Sequence, residues 1–310
     1  MTRTLVTGAA GFIGSNLVRR LTADGHDVHC LVRPGSALWR LEGIEPRVTL
    51  HVAELAHSDA VAEVLSRVRP TWVFHLAVHG AYSFQNDVGK MLETNVVGTQ
   101  NVLAAAVANG ATAFVNTGSS SEYGPSLHAP DEYEVLAPDS YYAVTKAAAT
   151  YLCRVTAKQS RAYIPTLRLY SVFGPFENER RLMPTLIRHA LRGDWPPFAA
   201  PLIAHDFVYV DDVVDAYIRA ASAQHPRPDG PVYNVGSGVQ TTLQELADIA
   251  RDVFNLRGEP TWDSYPARSW DRSMWLANPR RLQTDLGWQI HFDVAAGLRR
   301  MAEWLRRSDH

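Results

Sequence analysis

The chain has 310 residues, 46% of them hydrophobic and 20% charged, with a formal net charge of −2. That length buries a full α/β core with residues left for a smaller second lobe, and the near-neutral balance excludes the basic excess by which proteins grip nucleic acid or anionic membrane. No apolar run reaches the ~20 residues needed to span a bilayer, and no leader-like pattern precedes Thr4, so the expected compartment is the cytoplasm.

In chain order, short β-branched runs at residues 4–7, 27–32, 48–52, 72–77, 113–117 and 165–170 read as strands. Amphipathic stretches at 13–23, 60–66, 90–109 and 141–160 lie between them and read as helices. This alternation predicts an α/β fold: a doubly wound parallel sheet, Rossmann-like, with helices on both faces. The strands are nearly continuous apolar runs, as burial on both faces requires. After Tyr170 the rhythm breaks into a Pro-, Arg- and aromatic-rich segment over 171–206. A strand at 207–210, a helix at 211–222 and a strand at 231–235 follow, then helices at 243–254 and 292–306 around a Trp/Arg/Pro-rich loop. The expected organisation is a dinucleotide-binding domain over 1–170, to which 207–235 returns. A discontinuous, smaller substrate lobe takes 171–206 and 236–310. Repeats and low-complexity segments are absent. Cys30 and Cys153 have no metal-ligand spacing around them and read as reduced thiols packed like small hydrophobes.

The run Thr7-Gly8-Ala9-Ala10-Gly11-Phe12-Ile13-Gly14 sits between the first strand and the first helix. Gly8 permits the tight turn, Gly11 lets the backbone approach a pyrophosphate, and Gly14 lets helix and strand pack closely. The helix N-terminus supplies free N–H groups and a positive dipole end for the anion. An NAD site usually ends its second strand with an acid that binds the ribose hydroxyls. Here Val32-Arg33 stands there, and a cation at that point pairs with a 2′-phosphate. NADP(H) is therefore favoured, with NAD(H) the alternative. Downstream, Tyr142-Ala143-Val144-Thr145-Lys146 places a phenol and an ammonium one helical turn apart. The ammonium lowers the phenol's pKa, so the phenol can exchange a proton near neutral pH.

With these motifs the chain resembles the extended short-chain dehydrogenase/reductase family, in its nucleotide-sugar epimerase, dehydratase and 4-ketoreductase group. The resemblance covers nearly the whole chain. Beyond the glycine loop and the Tyr/Lys pair it rests on His75-Leu76-Ala77, Asn95-Val96-x-Gly98-Thr99-x-Asn101 and Gly118-Ser119-Ser120-Ser121-Glu122-Tyr123-Gly124. It continues through Arg168-Leu169-Tyr170, Gly174-Pro175, Asp206-Phe207-Val208-Tyr209-Val210-Asp211-Asp212-Val213, Tyr233-Asn234-Val235-Gly236-Ser237-Gly238 and Leu286-Gly287-Trp288. It implies a nucleotide-diphosphate sugar as partner, with C4 of the hexose facing the nicotinamide. Tyr142 would be the acid/base, Lys146 would bind the ribose and tune Tyr142, and Ser119 would hydrogen-bond the same sugar oxygen. The implied cofactor-binding residues are Gly8, Gly11, Phe12, Ile13, Gly14, Arg33, Glu54, Leu55, Ala77, Lys146 and Tyr170. The implied substrate contacts are His79, Ser120, Ser121, Arg181, His205 and Arg268. The family's four-helix interface implies a homodimer.

Three reactions share this scaffold. In the dehydratase subgroup an Asp-Glu or Ser-Glu pair follows the catalytic hydroxyl, whereas here Ser120 and Ser121 follow Ser119. Glu122 lies one residue further, and in a strand-like segment that shift turns a side chain to the other face, so dehydration is disfavoured. A 4-keto-6-deoxysugar reductase using NADPH is favoured by Val32-Arg33, and a 4-epimerase stays open. Two departures leave the nucleotide and sugar open. His205 stands where these enzymes commonly have Arg, and Ser171 where they often have Asn. Arg180, Arg181, Arg268 and Arg272 are the candidates for replacement phosphate contacts. A non-catalytic relative would typically have lost the Tyr, the Lys or the glycines, and all are present here.

Overall fold

The computed structural model describes residues 1–223, 227–265 and 271–308, and no helix among them is long and apolar enough to cross a membrane. Its elements are β1 (Arg3–Thr7), α1 (Phe12–Ala23), β2 (Asp27–Val32), β3 (Val48–Val52), α2 (Ser58–Val68), β4 (Trp72–His75), α3 (Val88–Leu92), α4 (Gly98–Ala108), β5 (Ala113–Ser119), α5 (Tyr141–Ser160) and β6 (Thr166–Leu169). There follow β7 (Ser171–Phe173), α6 (Leu182–Arg192), β8 (Ala204–His205), β9 (Phe207–Tyr209), α7 (Val210–Ala221), β10 (Val232–Val235), β11 (Thr241–Thr242), α8 (Leu243–Phe254), α9 (Arg280–Leu286) and α10 (Val294–Ser308). Two compact units result. One comprises residues 1–124, 132–168 and 214–233, the other 125–131, 169–213 and 234–310.

The first unit is organised by a seven-stranded sheet of order β10-β6-β5-β4-β1-β2-β3. β1 pairs in parallel with β2 and β4, β2 with β3, and β4 with β5, so the predicted doubly wound sheet is the observed fold. Strand order runs outward from β1 in both directions. The switch point between β1 and β4 is where such sheets open a ligand crevice at their carboxyl ends. Leu5, Val73, Phe114, Val61, Leu65 and Ile164 share one core cluster, and burying each aliphatic side chain is worth about 1.5–3 kcal/mol. Cys30 and Cys153 are buried and unpaired, and burial pushes both thiols up to about 12.

The helix expected over 90–109 is helical from Val88 to Ala108 but widens to a π-turn at Glu93–Val97. At its centre sits Asn95, 1% exposed, whose Nδ2 donates to the His79 carbonyl (2.8 Å) and the Thr145 hydroxyl (2.9 Å). Its Oδ1 accepts the His79 N–H at 2.8 Å. Such a widened turn inserts a residue locally, and these insertions concentrate at functional sites.

The second unit has its own core, which includes Phe173, Leu186, Phe198, Tyr209, Leu246 and Leu298. Here one expectation fails: β9 does not return to the large sheet but pairs in parallel with β7, Ser171 opposite Phe207. Three residues of alternation cannot say which partner a strand will take. Helix α6 falls in the Pro-, Arg- and aromatic-rich segment, to which no element was assigned, and it holds Pro184. The proline lies in the helix's first turn, where a missing N–H breaks no helical bond. Between β8 and β9 the buried Asp206 carboxylate accepts the N–H groups of Ser237 (2.6 Å), Gly238 (2.9 Å) and Ala277 (2.9 Å), and so pins two loops.

Candidate active site

β1 delivers the chain to Gly8, whose φ is +67°. A Cβ on Gly8 would stand 2.6 Å from the Ala77 nitrogen, and one on Gly14 would stand 2.2 Å from the Gly8 carbonyl oxygen. Both positions therefore exclude a side chain. The Gly11 N–H closes the turn onto the Gly8 carbonyl at 2.9 Å. Gly11 also N-caps α1, which has neither a capping side chain nor an acid in its first turn. The first-turn N–H groups around Phe12 and Ile13 are thus left for an anion. Arg33 is exposed directly after β2, and Glu54 is exposed after β3. Buried Leu55 offers its carbonyl to Asn101 Nδ2 at 2.8 Å.

A hydrogen-bonded chain backs this loop. Ala77 N–H donates to Thr7 Oγ1 (3.2 Å), which meets His75 Nδ1 at 2.8 Å. His75 Nε2 lies 2.9 Å from Thr99 Oγ1, which donates to the Asn95 carbonyl at 2.7 Å. Thr99 spends its only proton on that carbonyl, so His75 must donate from Nε2 and accept from Thr7 at Nδ1. Burial, with the Lys146 charge nearby, holds the imidazole down at about 3, hence neutral. Asn95 carries the chain on to Thr145, whose hydroxyl donates to the Tyr142 carbonyl at 2.8 Å. His79 follows β4 with its backbone clamped by Asn95. Burial, then the Lys90 and Arg33 charges, lower its pKa against the opposing pull of Asp87.

α5 carries the proton-transfer pair. Ser140 caps it, its hydroxyl accepting the Ala143 N–H at 3.2 Å, so Tyr142 sits half-buried in the first turn. Lys146 is 3% exposed and its ammonium makes no hydrogen bond to a described residue. Burial pulls it down to about 8, with Glu122 and Cys153 acting to raise it. A glycine cradle that no Cβ could enter, an uncapped helix start and this buried ammonium fit a dinucleotide with its ribose at Lys146.

Ser119 ends β5 and N-caps a single 3-10 turn, Ser120–Tyr123. Its Oγ accepts the Ser121 N–H (3.2 Å) and meets Ser121 Oγ at 2.8 Å. Ser120 is buried and Ser121 half-buried. Glu122 is therefore not on a strand, and the face-switching argument for it does not apply. Its carboxylate is wholly buried instead. One oxygen accepts the Ser119 N–H (2.8 Å), closing a capping box, and the other accepts Thr150 Oγ1 and Arg168 Nε, each at 2.9 Å. Arg168 lies over the Tyr123 ring at 4.5 Å. Burial works against the guanidinium's charge, and Glu122 and Tyr123 outweigh it. Asn95, Glu122 and Thr150 were missed as site residues by sequence reasoning, although Ser119-x-x-Glu122 is a legible capping-box pattern.

In the second unit, Tyr170 follows β6, donates its N–H to the Val235 carbonyl (3.0 Å) and meets Trp275 edge-on at 6.4 Å. His205 Nδ1 lies 3.2 Å from Ser171 Oγ. The Arg272 carbonyl accepts the N–H of the neighbouring Ala204 at 2.8 Å, which brings that loop beside His205. Arg181 is elsewhere, its Nε 3.4 Å from Glu177, whose carboxyl burial pushes up to about 7. Arg180 is exposed, and Arg268 lies outside the described residues.

Residues 4–236 match the model of the NAD-dependent epimerase/dehydratase family. A UDP-glucose 4-epimerase of Mycolicibacterium smegmatis is 32% identical over 98% of this chain and 98% of its own length. Among solved structures, MoeE5 in complex with UDP-glucose and NAD has a TM-score of 0.85 and 31% identity, covering 99% of both chains. The UDP-glucose 4-epimerase of Thermotoga maritima, solved with UDP-glucose, has a TM-score of 0.89 and 25% identity, again over 99% of both chains. The cradle, the Tyr/Lys helix and this whole-length likeness agree: the chain belongs to the NAD-dependent epimerase/dehydratase family, as an enzyme of the extended short-chain dehydrogenase/reductase type.

Proposed function

We propose that the protein is a 4-epimerase of a nucleotide-diphosphate hexose, working with NAD that stays bound through turnover. The observation that carries this reading is the state of Glu122. The carboxylate nearest in sequence to Ser119 is sealed in an ion pair, and Ser120 and Ser121 replace the acids that dehydration needs. What remains is a set suited to C4 alone. Bound NAD would supply the reversible hydride acceptor for C4. Tyr142 takes the O4 proton and gives it back. Ser119 Oγ accepts the Ser121 N–H, and with Ser121 Oγ as donor in their shared bond the Ser119 proton is left for the substrate O4. Lys146 holds the ribose, and its charge favours the phenolate. The whole-length likeness to 4-epimerases supports the same reading.

A second reading, an NADPH-dependent 4-keto-6-deoxysugar reductase, is favoured by Val32-Arg33, since no acid closes β2. One experiment separates the two. Purified protein incubated with UDP-glucose and no added cofactor should form the C4 epimer by chromatography, and denaturation should release NAD. An empty site, no epimer, and NADPH oxidation by a 4-keto-6-deoxy sugar nucleotide would transfer the assignment to the reductase.

We also propose a homodimer. On α5, Val144, Tyr151 and Val155 are exposed at helical spacing, on the face away from Tyr142 and Lys146, and Leu92 and Val97 are exposed on the neighbouring helical run. A contiguous apolar face of this kind calls for a cover, and a second copy of the same helices supplies one. Light scattering should give twice the chain mass, and Tyr151→Glu with Val155→Glu should give the monomer. A monomeric wild type would refute it.

A further inference from the structure

Tyr142, Lys146 and Thr150 are spaced four residues apart and so form one stripe of α5. Glu122 grips the end of that stripe through Thr150 Oγ1 at 2.9 Å, while its other oxygen holds the Ser119 amide at 2.8 Å. The space for this carboxylate is reserved: a Cβ on Gly118 would stand 2.7 Å from Glu122 Oε1. Arg168 Nε, 2.9 Å away, pairs the charge without reaching the Ser119 side. We propose that Glu122 is a positioning residue that locks Ser119 and the Tyr142/Lys146 helix into one unit and supplies the negative charge that faces the Lys146 ammonium.

The electrostatics agree with the geometry. The titratable groups that act on Lys146 or that it acts on are Glu122, Cys153 and His75, with Tyr142 one turn back on its own helix. The Cys153 thiol is pushed up to about 12 and His75 is held near 3, so both are uncharged around neutral pH. Among these described groups Glu122 alone brings a charge to bear against the burial of Lys146. The pair is not in direct ion contact, so the coupling acts through space in a dry interior, where it is strong.

The inference rests on the proposed roles of Ser119, Tyr142 and Lys146, yet part of its test needs no turnover. The chain has three lysines, Lys90, Lys146 and Lys158. Protein grown with lysine carrying an NMR-active carbon at Cε therefore gives three resonances, assigned with Lys90→Arg and Lys158→Arg. Lys146 should titrate near 8 in the wild type and, in Glu122→Gln, move lower by on the order of one unit. Thr150→Val, which keeps the charge, should leave it in place. Glu122→Gln orphans Arg168, so Glu122→Gln/Arg168→Met serves where the single variant does not fold. An unmoved Lys146 resonance in a folded Glu122 variant would overturn the electrostatic half. In 4-epimerisation, the alkaline limb of kcat should follow the same shift, and Ser119→Ala should cost less in the Glu122→Gln background than alone. Full additivity would overturn the positioning half. A wild type inactive on every nucleotide sugar would instead strike the proposed function, and the NMR titration would still decide for or against the Glu122 coupling.

Discussion

Tyr142→Phe is expected to lower kcat for epimerisation by about two to four orders of magnitude, the usual worth of a positioned acid/base, while bound NAD is retained. The substitution removes one oxygen from a half-buried ring, and the bonds that support the start of the helix come from other groups. The Ser140 cap bonds Ala143, and the Thr145 hydroxyl bonds the backbone carbonyl of residue 142. The glycine cradle lies elsewhere, in the loop after β1 and the start of α1. Without the phenol, O4 has no group to take its proton as the carbon is oxidised, and Ser119 cannot substitute because its hydroxyl is far too weak a base at neutral pH. Steady-state kinetics against cofactor content per chain is the measurement. An unchanged kcat would remove Tyr142 from the chemistry, and lost NAD would make it a binding residue instead.

Arg168→Met should cost about 3–5 kcal/mol of stability, the range seen when one partner of a buried ion pair is removed. The cost arises at Glu122, whose fully buried carboxylate keeps the Ser119 amide and the Thr150 hydroxyl but loses the guanidinium that pairs with it directly. Methionine fills much of the space over the Tyr123 ring, so little of the loss is packing. Neutralising both partners in Glu122→Gln/Arg168→Met should recover most of it, since the penalty belongs to the unpaired charge rather than to the missing pair. Urea unfolding followed by circular dichroism reads both. A single variant within about 1 kcal/mol of wild type would mean that water reaches Glu122, as it does at exposed ion pairs of that worth.

The features legible in the sequence are those whose physics is local. The glycines at 8, 11 and 14 are spaced by a turn, and Tyr142 and Lys146 by a helical period, so neighbours in sequence suffice to read them. The strand–helix alternation is a periodicity and survives reading in short windows. What stayed hidden depends on distant partners. Glu122 looks like any acid near a strand end until Arg168, 46 residues on, turns it inward. The π-turn at Asn95 answers to the backbone of His79 and to Thr145, 50 residues away. β9 was assigned to the wrong sheet because its true partner β7 is equally short. The same limit applies to the cation at β2's end. Arg33 could be recognised as a residue, but its meaning for cofactor choice depends on what binds beside it.

β10 closes the far edge of the large sheet, with the Thr166 and Tyr170 N–H groups reaching the Pro231 and Val235 carbonyls at 2.8 and 3.0 Å. Between β6 and β10 the chain builds much of another unit. On a ribosome, synthesis at roughly 5–20 residues per second would therefore leave β6 as a bare edge for about 3–13 seconds. A bare edge invites pairing with another nascent chain. The order of the strands thus makes the last parallel strand a timing problem: the unit that carries the large sheet is translated early yet completed late.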